Sequence, residues 1–275
     1  MQSTLATWWT IFQLCVAERL AYRGDFVLGT LMRFLPIVTQ IFLWTAVFQA
    51  AGTQQIGGFN RDEVVAYYLL TMVARAFSSM PGLASGVANQ IRSGEIKKFM
   101  IQPIDLVSYQ LLARLDHKVV YYAVATGPFA LVFYLCRGYF SGWPSGEVLL
   151  AFGISLLLSF LLGFFLELTL GMLGFWFLEV SALLFVYMLL NFFLSGHMFP
   201  LSLLSDNLPA PWGGLIEANP LKYLAYYPAA VFLGKVPADQ LWTGIGIQAL
   251  WTLFFVVACR LALRAGYNRY SGYGG

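Results

Sequence analysis

Long, nearly uncharged apolar runs take up most of this 275-residue chain, and one compact charged island at 92–118 interrupts them. The island reads RSGEIKKFMIQPIDLVSYQLLARLDHK and holds five of the 16 Lys and Arg residues: Arg92, Lys97, Lys98, Arg114 and Lys118. A backbone crossing lipid must satisfy its own N–H and C=O groups, and a helix does so with about 20 apolar residues. The chain is 59% hydrophobic and 11% charged, against the rough quarter of charged residues in a soluble domain. A soluble globular fold is excluded. The net charge of +3 is too small to point to nucleic acid.

Six segments approach spanning length. They run at about 27–50, 63–89 and 119–136, then two between 148 and 199 divided near 171–174, and a last at 241–259. Pro36 lies one turn into the first, Arg75 lies within the second, and Gly127-Pro128 interrupts the third. Ahead of them, Leu5, Trp8, Trp9, Phe12, Val16 and Leu20 recur at helical spacing among Gln13, Glu18, Arg19 and Arg23. That pattern fits an amphipathic helix lying in the membrane interface, or alternatively a loosely ordered tail. The fold class predicted is all-α and polytopic, one membrane domain over 1–275.

Six spans place both termini on one side. With them fall Arg19, Arg23, Arg33, the five island residues, Arg260, Arg264 and Arg269, against Arg61, Arg137, Lys222 and Lys235 opposite. The positive-inside rule puts the richer side, with both termini, in the cytoplasm.

Within the island, Gly94 precedes Glu95, Ile96, Lys97, Lys98, Phe99 and Met100, and Gln102-Pro103 stops the run. A short helix with a basic edge and an apolar face is expected there. The same charges would also suit a plain solvated connection that only sets topology. Between the last two spans, 195–240 is too apolar for an ordinary loop and too broken by Pro and Gly for a span. Short helices dipping into the outer leaflet fit it, with turns at Gly196, Phe199 and Pro200 and at Asn219 and Pro220; a static interfacial lid is the alternative. In the second span Arg75, Ser78, Gly82, Ser85 and Asn89 recur every three to four residues. A continuous face of small and polar residues would keep the guanidinium out of lipid, and would serve either plain helix packing or a pathway or subunit interface. Glu167 is a possible counter-charge for Arg75. Glu167 and Glu179 otherwise read as interfacial carboxylates or, alternatively, a proton relay.

Sites for chemistry are lacking. No phosphate-cradling G-x-x-x-x-G-K-[ST] loop and no H-E-x-x-H occurs, and the two histidines leave little scope for a metal. Cys15, Cys136 and Cys259 are scattered in apolar surroundings and read as reduced. The N-terminus has neither a basic n-region nor a small-residue cleavage site, so no cleaved signal peptide is expected. The chain reads as no enzyme, and any ATP is used on another polypeptide.

The run SGHMFPL at 195–201, the run NPLKY at 219–223 and IQPI at 101–104 resemble motifs of the permease subunits of ATP-binding-cassette (ABC) exporters of the second type. The closing run at 267–275, YNRYSGYGG, resembles a viologen-exporter-like subgroup of that family. The resemblance implies an N-terminal elbow helix within 1–26, a cytoplasmic coupling loop at 90–118 whose helix contacts an ATPase through 95–100, and extracellular re-entrant helices at 200–239 forming a gate. It implies a second permease copy or a sister permease, soluble ABC ATPase subunits carrying ATP and Mg, membrane lipids around the dimer, and a bacterial cytoplasmic membrane. A cavity between spans one, two and five would change access as the ATPases close. Two other classes remain: an integral-membrane enzyme acting on lipid or isoprenoid substrates, and a passive channel. The first needs converging acids or histidines and the second a ring-forming polar repeat.

Overall fold

In the computed structural model, residues 23–102, 104–177, 179–205 and 208–270 are described, and they are mostly helical. The helices are α1 (Arg23–Ala51), α2 (Arg61–Ser78), α3 (Leu83–Arg92), α4 (Lys97–Ile101), α5 (Leu106–Leu135), α6 (Gly146–Met172), α7 (Ser181–Leu194), α8 (Ser202–Ser205), α9 (Ala210–Ala218), α10 (Tyr226–Phe232) and α11 (Ala238–Arg269). Single 3-10 turns lie at Arg137–Tyr139, Leu173–Phe175 and Pro220–Leu224, and a two-residue antiparallel pair joins β1 (Gln55–Ile56) to β2 (Phe59–Asn60). The interfacial helix expected at 4–22 lies outside the described residues.

By length and composition, α6 with its 3-10 extension and α11 are able to cross a membrane. The two halves of α5, bent by 50° between Ala123 and Ala125, make a third span if counted together. That bend falls four residues before Pro128, where a proline ring collides with the i−4 carbonyl. The Gly127-Pro128 pair therefore bends the helix upstream and does not end it.

Two expectations are corrected. The second span is not one helix: α2 stops at Ser78, and α3 begins at Leu83 after a left-handed Gly82 (φ 73°). Pro81 explains the stop, because it lacks an N–H and pushes Met80 out of the helical region. The segment expected as a loop at 90–118 is also a shorter loop than that. Residues 106–118 carry no Gly or Pro and form the first three turns of α5, N-capped by Asp105, whose Oδ2 accepts from Ser108 N at 2.9 Å. The division expected near 171–174 falls at 173–180, between α6 and α7, and takes in Gly174.

Helix α6 is the hub, packed against α11, α3, α2 and α10. Three glycines on one side of it permit this. A Cβ on Gly163 would overlap the Ser78 carbonyl, one on Gly171 would lie 2.9 Å from the Ala84 oxygen, and one on Gly174 would lie 3.1 Å from Ala88 Cα. Helix α2 is buried nearly all round from Val64 to Thr71, as expected of a helix without a polar face. By contrast, no residue of α7 is buried.

Irregular backbone inside this apolar body is satisfied by side chains. Gln248 on α11 donates to Ser155 O at 2.9 Å, Ser159 Oγ at 3.1 Å and Tyr223 O at 3.3 Å, and accepts from Ser155 Oγ at 2.9 Å. Ser159 Oγ reaches Tyr223 O at 2.7 Å. The knot fastens the 3-10 turn to α6 and α11, and Gln248 is fully buried. Gln248→Leu strands several polar atoms at once, so it should cost about 1–3 kcal/mol. Thermal melting in detergent should show a drop of several degrees, and an unchanged midpoint would mean the knot contributes nothing.

Contacts sort the helix ends into two sets. At one end, Arg260 Nη1 meets Asp105 Oδ1 at 2.6 Å and Arg92 Nη1 meets Glu179 Oε2 at 3.1 Å, while Tyr267 and Tyr270 pack edge-on against Phe175. Burial raises the Asp105 carboxyl pKa, but hydrogen bonds from Arg260 and Ser108 outweigh it and hold the group below its ordinary value. At the opposite end, Asn60 and Glu63 form a capping box on α2, and Lys235 Nζ meets Glu63 Oε2 at 2.7 Å. Tyr139 to Ser145, Phe232 and Gly234 line the same recess as Glu63. Arg92, Lys97 and Lys98 thus belong to one end and Arg61, Arg137 and Lys235 to the other.

Candidate functional site

The break between α2 and α3 leaves helix-terminal carbonyls without intrahelical donors. Helix α5 supplies them. Lys118 Nζ donates to Ala76 O and, at 2.7 Å, to Ser79 O. Tyr122 Oη donates to Ala76 O at 2.9 Å, and Arg114 Nη1 to Pro81 O at 3.0 Å. Lys118 thus meets the negative end of the α2 dipole, and Arg114 holds the linker carbonyl of Pro81. Glu167 on α6 lies within electrostatic reach of Arg114 and Lys118 and faces the Met80 backbone amide. Lys118 is only 7% exposed. Neither Lys118 nor Arg114 is a loop charge: both brace the broken helix, and the charge asymmetry survives without them. The stripe Arg114, Lys118, Tyr122, at four-residue spacing, was visible in the sequence once a helix starts at Leu106.

Beside the break lies a cavity of about 550 Å3. Helix α1 contributes Pro36, Ile37 and Gln40; α2 contributes Tyr68, Met72, Arg75 and Ala76. Ser79 and Pro81 line it from the break, Tyr121 and Phe129 from α5, Phe192 from α7, and His197 and Met198 from the turn that follows. Tyr68, Met72, Arg75 and Ser79 follow helical spacing, so one stripe of α2 builds the wall. Helices α1, α2 and α7, which fall in the segments expected as spans one, two and five, each contribute to this lining. The contribution of α5 was not foreseen, because it depends on the bend before Pro128 and on the braces to the break.

The expected face of the second span separates into different places. Arg75 lines the cavity and is half-buried. Ser78 is buried against Gly163. Gly82 is the left-handed cap, Ser85 is exposed, and the exposed Asn89 accepts from Arg92 Nη2 at 3.1 Å. Left-handed Gly82 rotates α3 out of phase with α2, so the five residues share no continuous face. Close helix approach comes instead from Ala84 and Ala88 against Gly171 and Gly174. The spacing of Gly163, Gly171 and Gly174 on one face of a helix was the missed signal.

Helix α4 has two distinct sides. Ile96 and Phe99 are buried in the cluster that holds Ile91, Leu106 and Phe175. Glu95, Lys98 and Met100 are exposed, Lys97 is half-buried, and Ile101 is 83% exposed. The solvent side is therefore a small mixed basic and apolar patch on a rigid mount. Glu179 is an exposed surface carboxylate whose hydrogen bonds from Ser181 hold its pKa below the usual value.

Turns lie at both places where Gly and Pro suggested them. Gly196 has φ 78°, and a Cβ there would lie 2.6 Å from Tyr226 Cβ and 2.7 Å from Tyr67 Oη. Tyr67 donates to the Gly196 carbonyl, Phe199 packs against the cluster that includes Phe59 and Tyr67, and Pro200 is buried. Asn219 Oδ1 accepts from Lys222 N at 3.1 Å, and Pro220 opens the 3-10 turn. Among the described residues no group of three or more His, Cys, Asp or Glu is placed to hold a metal.

The described residues thus form a mostly helical, largely apolar body with a half-open cavity beside the break between α2 and α3. The sequence matches the family model described as ABC-2 family transporter protein over residues 34–274. The chain belongs to that family, whose members are membrane permeases of ABC transporters and work with ABC ATPase subunits. A search of curated proteins finds no match.

Proposed function

We propose that the chain is the permease half of an ATP-driven exporter of a bacterial inner membrane. Helices α1, α2 with α3, α5, α6, α7 and α11 are its six passages, and the α4 end with both termini is cytoplasmic. It pairs with a second copy or a sister permease and binds two soluble ATPases, which carry ATP and Mg. Helices α8 to α10 dip into the outer leaflet, and the turns at Gly196–Pro200 residues and at Asn219 and Pro220 shape the outer gate. The likeness of the closing run supports a viologen-exporter-like subgroup as a sequence lineage.

The observation that carries this proposal is the mechanical continuity from α4 to the cavity. The exposed Glu95, Lys98 and Met100 sit on a helix whose Ile96 and Phe99 are locked into the core that also holds Ile91 of α3 and Met80 of the break. A push on α4 therefore reaches the wall of the cavity through packed side chains. Cargo must bind the two access states with different affinity for ATP to drive it.

The Glu95→Ala/Lys98→Ala/Met100→Ala variant should insert and fold normally, since none of the three side chains is buried. It should lose cargo-stimulated ATP hydrolysis by about tenfold when reconstituted with its ATPase. Full stimulation in that variant would remove α4 as the transmission element.

A further inference from the structure

We propose that the cavity beside the helix break takes a flat, uncharged aromatic molecule of drug-like size. This rests on the permease reading, in which the cavity serves as the cargo chamber. Its volume of about 550 Å3 falls within the range of about 300–1,000 Å3 typical of small-molecule sites. The lining decides the chemistry. Tyr68, Tyr121, Phe129 and Phe192 bring four rings to it, and Met72 and Met198 bring two thioethers. Rings pair with rings in offset or edge-on stacks, and a thioether sulfur packs against a ring edge, so a flat aromatic gains from all six. A saturated chain gains only from its burial.

The polar groups on which a charged cargo would depend are committed elsewhere. Ala76, Ser79 and Pro81 line the cavity, but their carbonyls already accept from Lys118, Tyr122 and Arg114. Arg75 has an interaction of its own within the protein. Gln40 Oε1 and His197 Nδ1 are closed off from the cavity space, and Phe192 stands edge-on to the His197 ring with centroids 5.5 Å apart. None of the described lining residues is Asp or Glu. An anion therefore meets no cation in want of a partner, and a cation meets no carboxylate. Burying a charge without a counter-charge is costly, whereas burying an uncharged ring is favourable.

The test uses the full permease in phosphatidylcholine nanodiscs, photolabelled with 1-azidopyrene and mapped by peptide mass spectrometry. Labelling of 68–81 and 121–129 should saturate and be displaced by excess pyrene. Labelling of α11, where Leu250, Leu253 and Phe254 are exposed, should rise linearly and resist displacement. Ala76→Trp, which fills the cavity, should abolish the saturable part. Phe192→Ala removes one ring from a helix in which no residue is buried, and it should weaken displacement by pyrene about fivefold. That variant decides the matter where Ala76→Trp is not monodisperse. Hexadecane, 1-pyrenesulfonate and methyl viologen should displace the label poorly. Displacement by hexadecane equal to that by pyrene assigns the cavity to lipid acyl chains and overturns the proposal. So does stronger displacement by either charged probe, a saturable part that neither variant changes, or no saturable part at all. ATPase copurification is scored separately. An ATPase that binds a permease with no saturable site removes the cargo class alone, whereas a saturable site with no bound ATPase removes the permease reading and leaves the aromatic site.

Discussion

The Gly163→Val variant should accumulate as almost no folded protein. A Cβ at this position overlaps the carbonyl oxygen of Ser78, and that oxygen belongs to the last turn of α2, not to a side chain able to swing aside. Ser78 is itself buried, in a helix enclosed on nearly every side. Forcing one methylene into a packed core costs about 1–3 kcal/mol, and valine adds three carbons against rigid backbone. Helix α6 would have to move from α2, and the contacts of α6 with α3, α10 and α11 would move with it. A graded series checks the cause: Gly163→Ala should destabilise more than Gly171→Ala, where the nearest oxygen is 2.9 Å away, and more than Gly174→Ala at 3.1 Å. The monodisperse fraction in size-exclusion chromatography and the melting midpoint provide the readouts. If Gly163→Ala melts with the wild type, α2 and α6 do not approach this closely.

Lys118→Met should have the next largest effect. Methionine keeps the length and apolar stem but removes the ammonium that donates to the Ala76 and Ser79 carbonyls. Hydrogen bonds to a charged group contribute about 1.5–3 kcal/mol each, and an acceptor left dry adds its own penalty. Tyr122 still reaches Ala76 O, so the loss falls mainly on Ser79 and on Glu167, which loses a neighbouring cation. We expect a cost of about 3 kcal/mol or more, seen as a lower melting midpoint, with partial recovery in Lys118→Arg. A wild-type midpoint would show that the break needs no brace from α5.

Local chemistry made much of this protein legible from its residues. Apolar runs of spanning length mark helices wherever they fall, because lipid allows little else. Gly196, Pro200 and Pro220 mark turns because their backbones permit little else. The apolar and basic sides of 95–101 were likewise written in their spacing. The same logic marked Arg75 as a residue that must face protein or water.

Other features were set by partners distant in the chain. Whether Pro81 would kink, bend or break the second span depended on donors from Arg114, Lys118 and Tyr122, about 33 to 46 residues away. Pro128, with no such donors described, only bends α5. A continuous Arg75 to Asn89 face was a sound inference for an unbroken helix, and one left-handed glycine dissolved it. Hydropathy and residue spacing by themselves determined a many-helix membrane protein and its turns. Only the tertiary structure decided which cations are braces, which glycines carry close packing, and which side chains meet in the cavity. Those outcomes depend on hydrogen bonds and contacts between residues that no local pattern pairs.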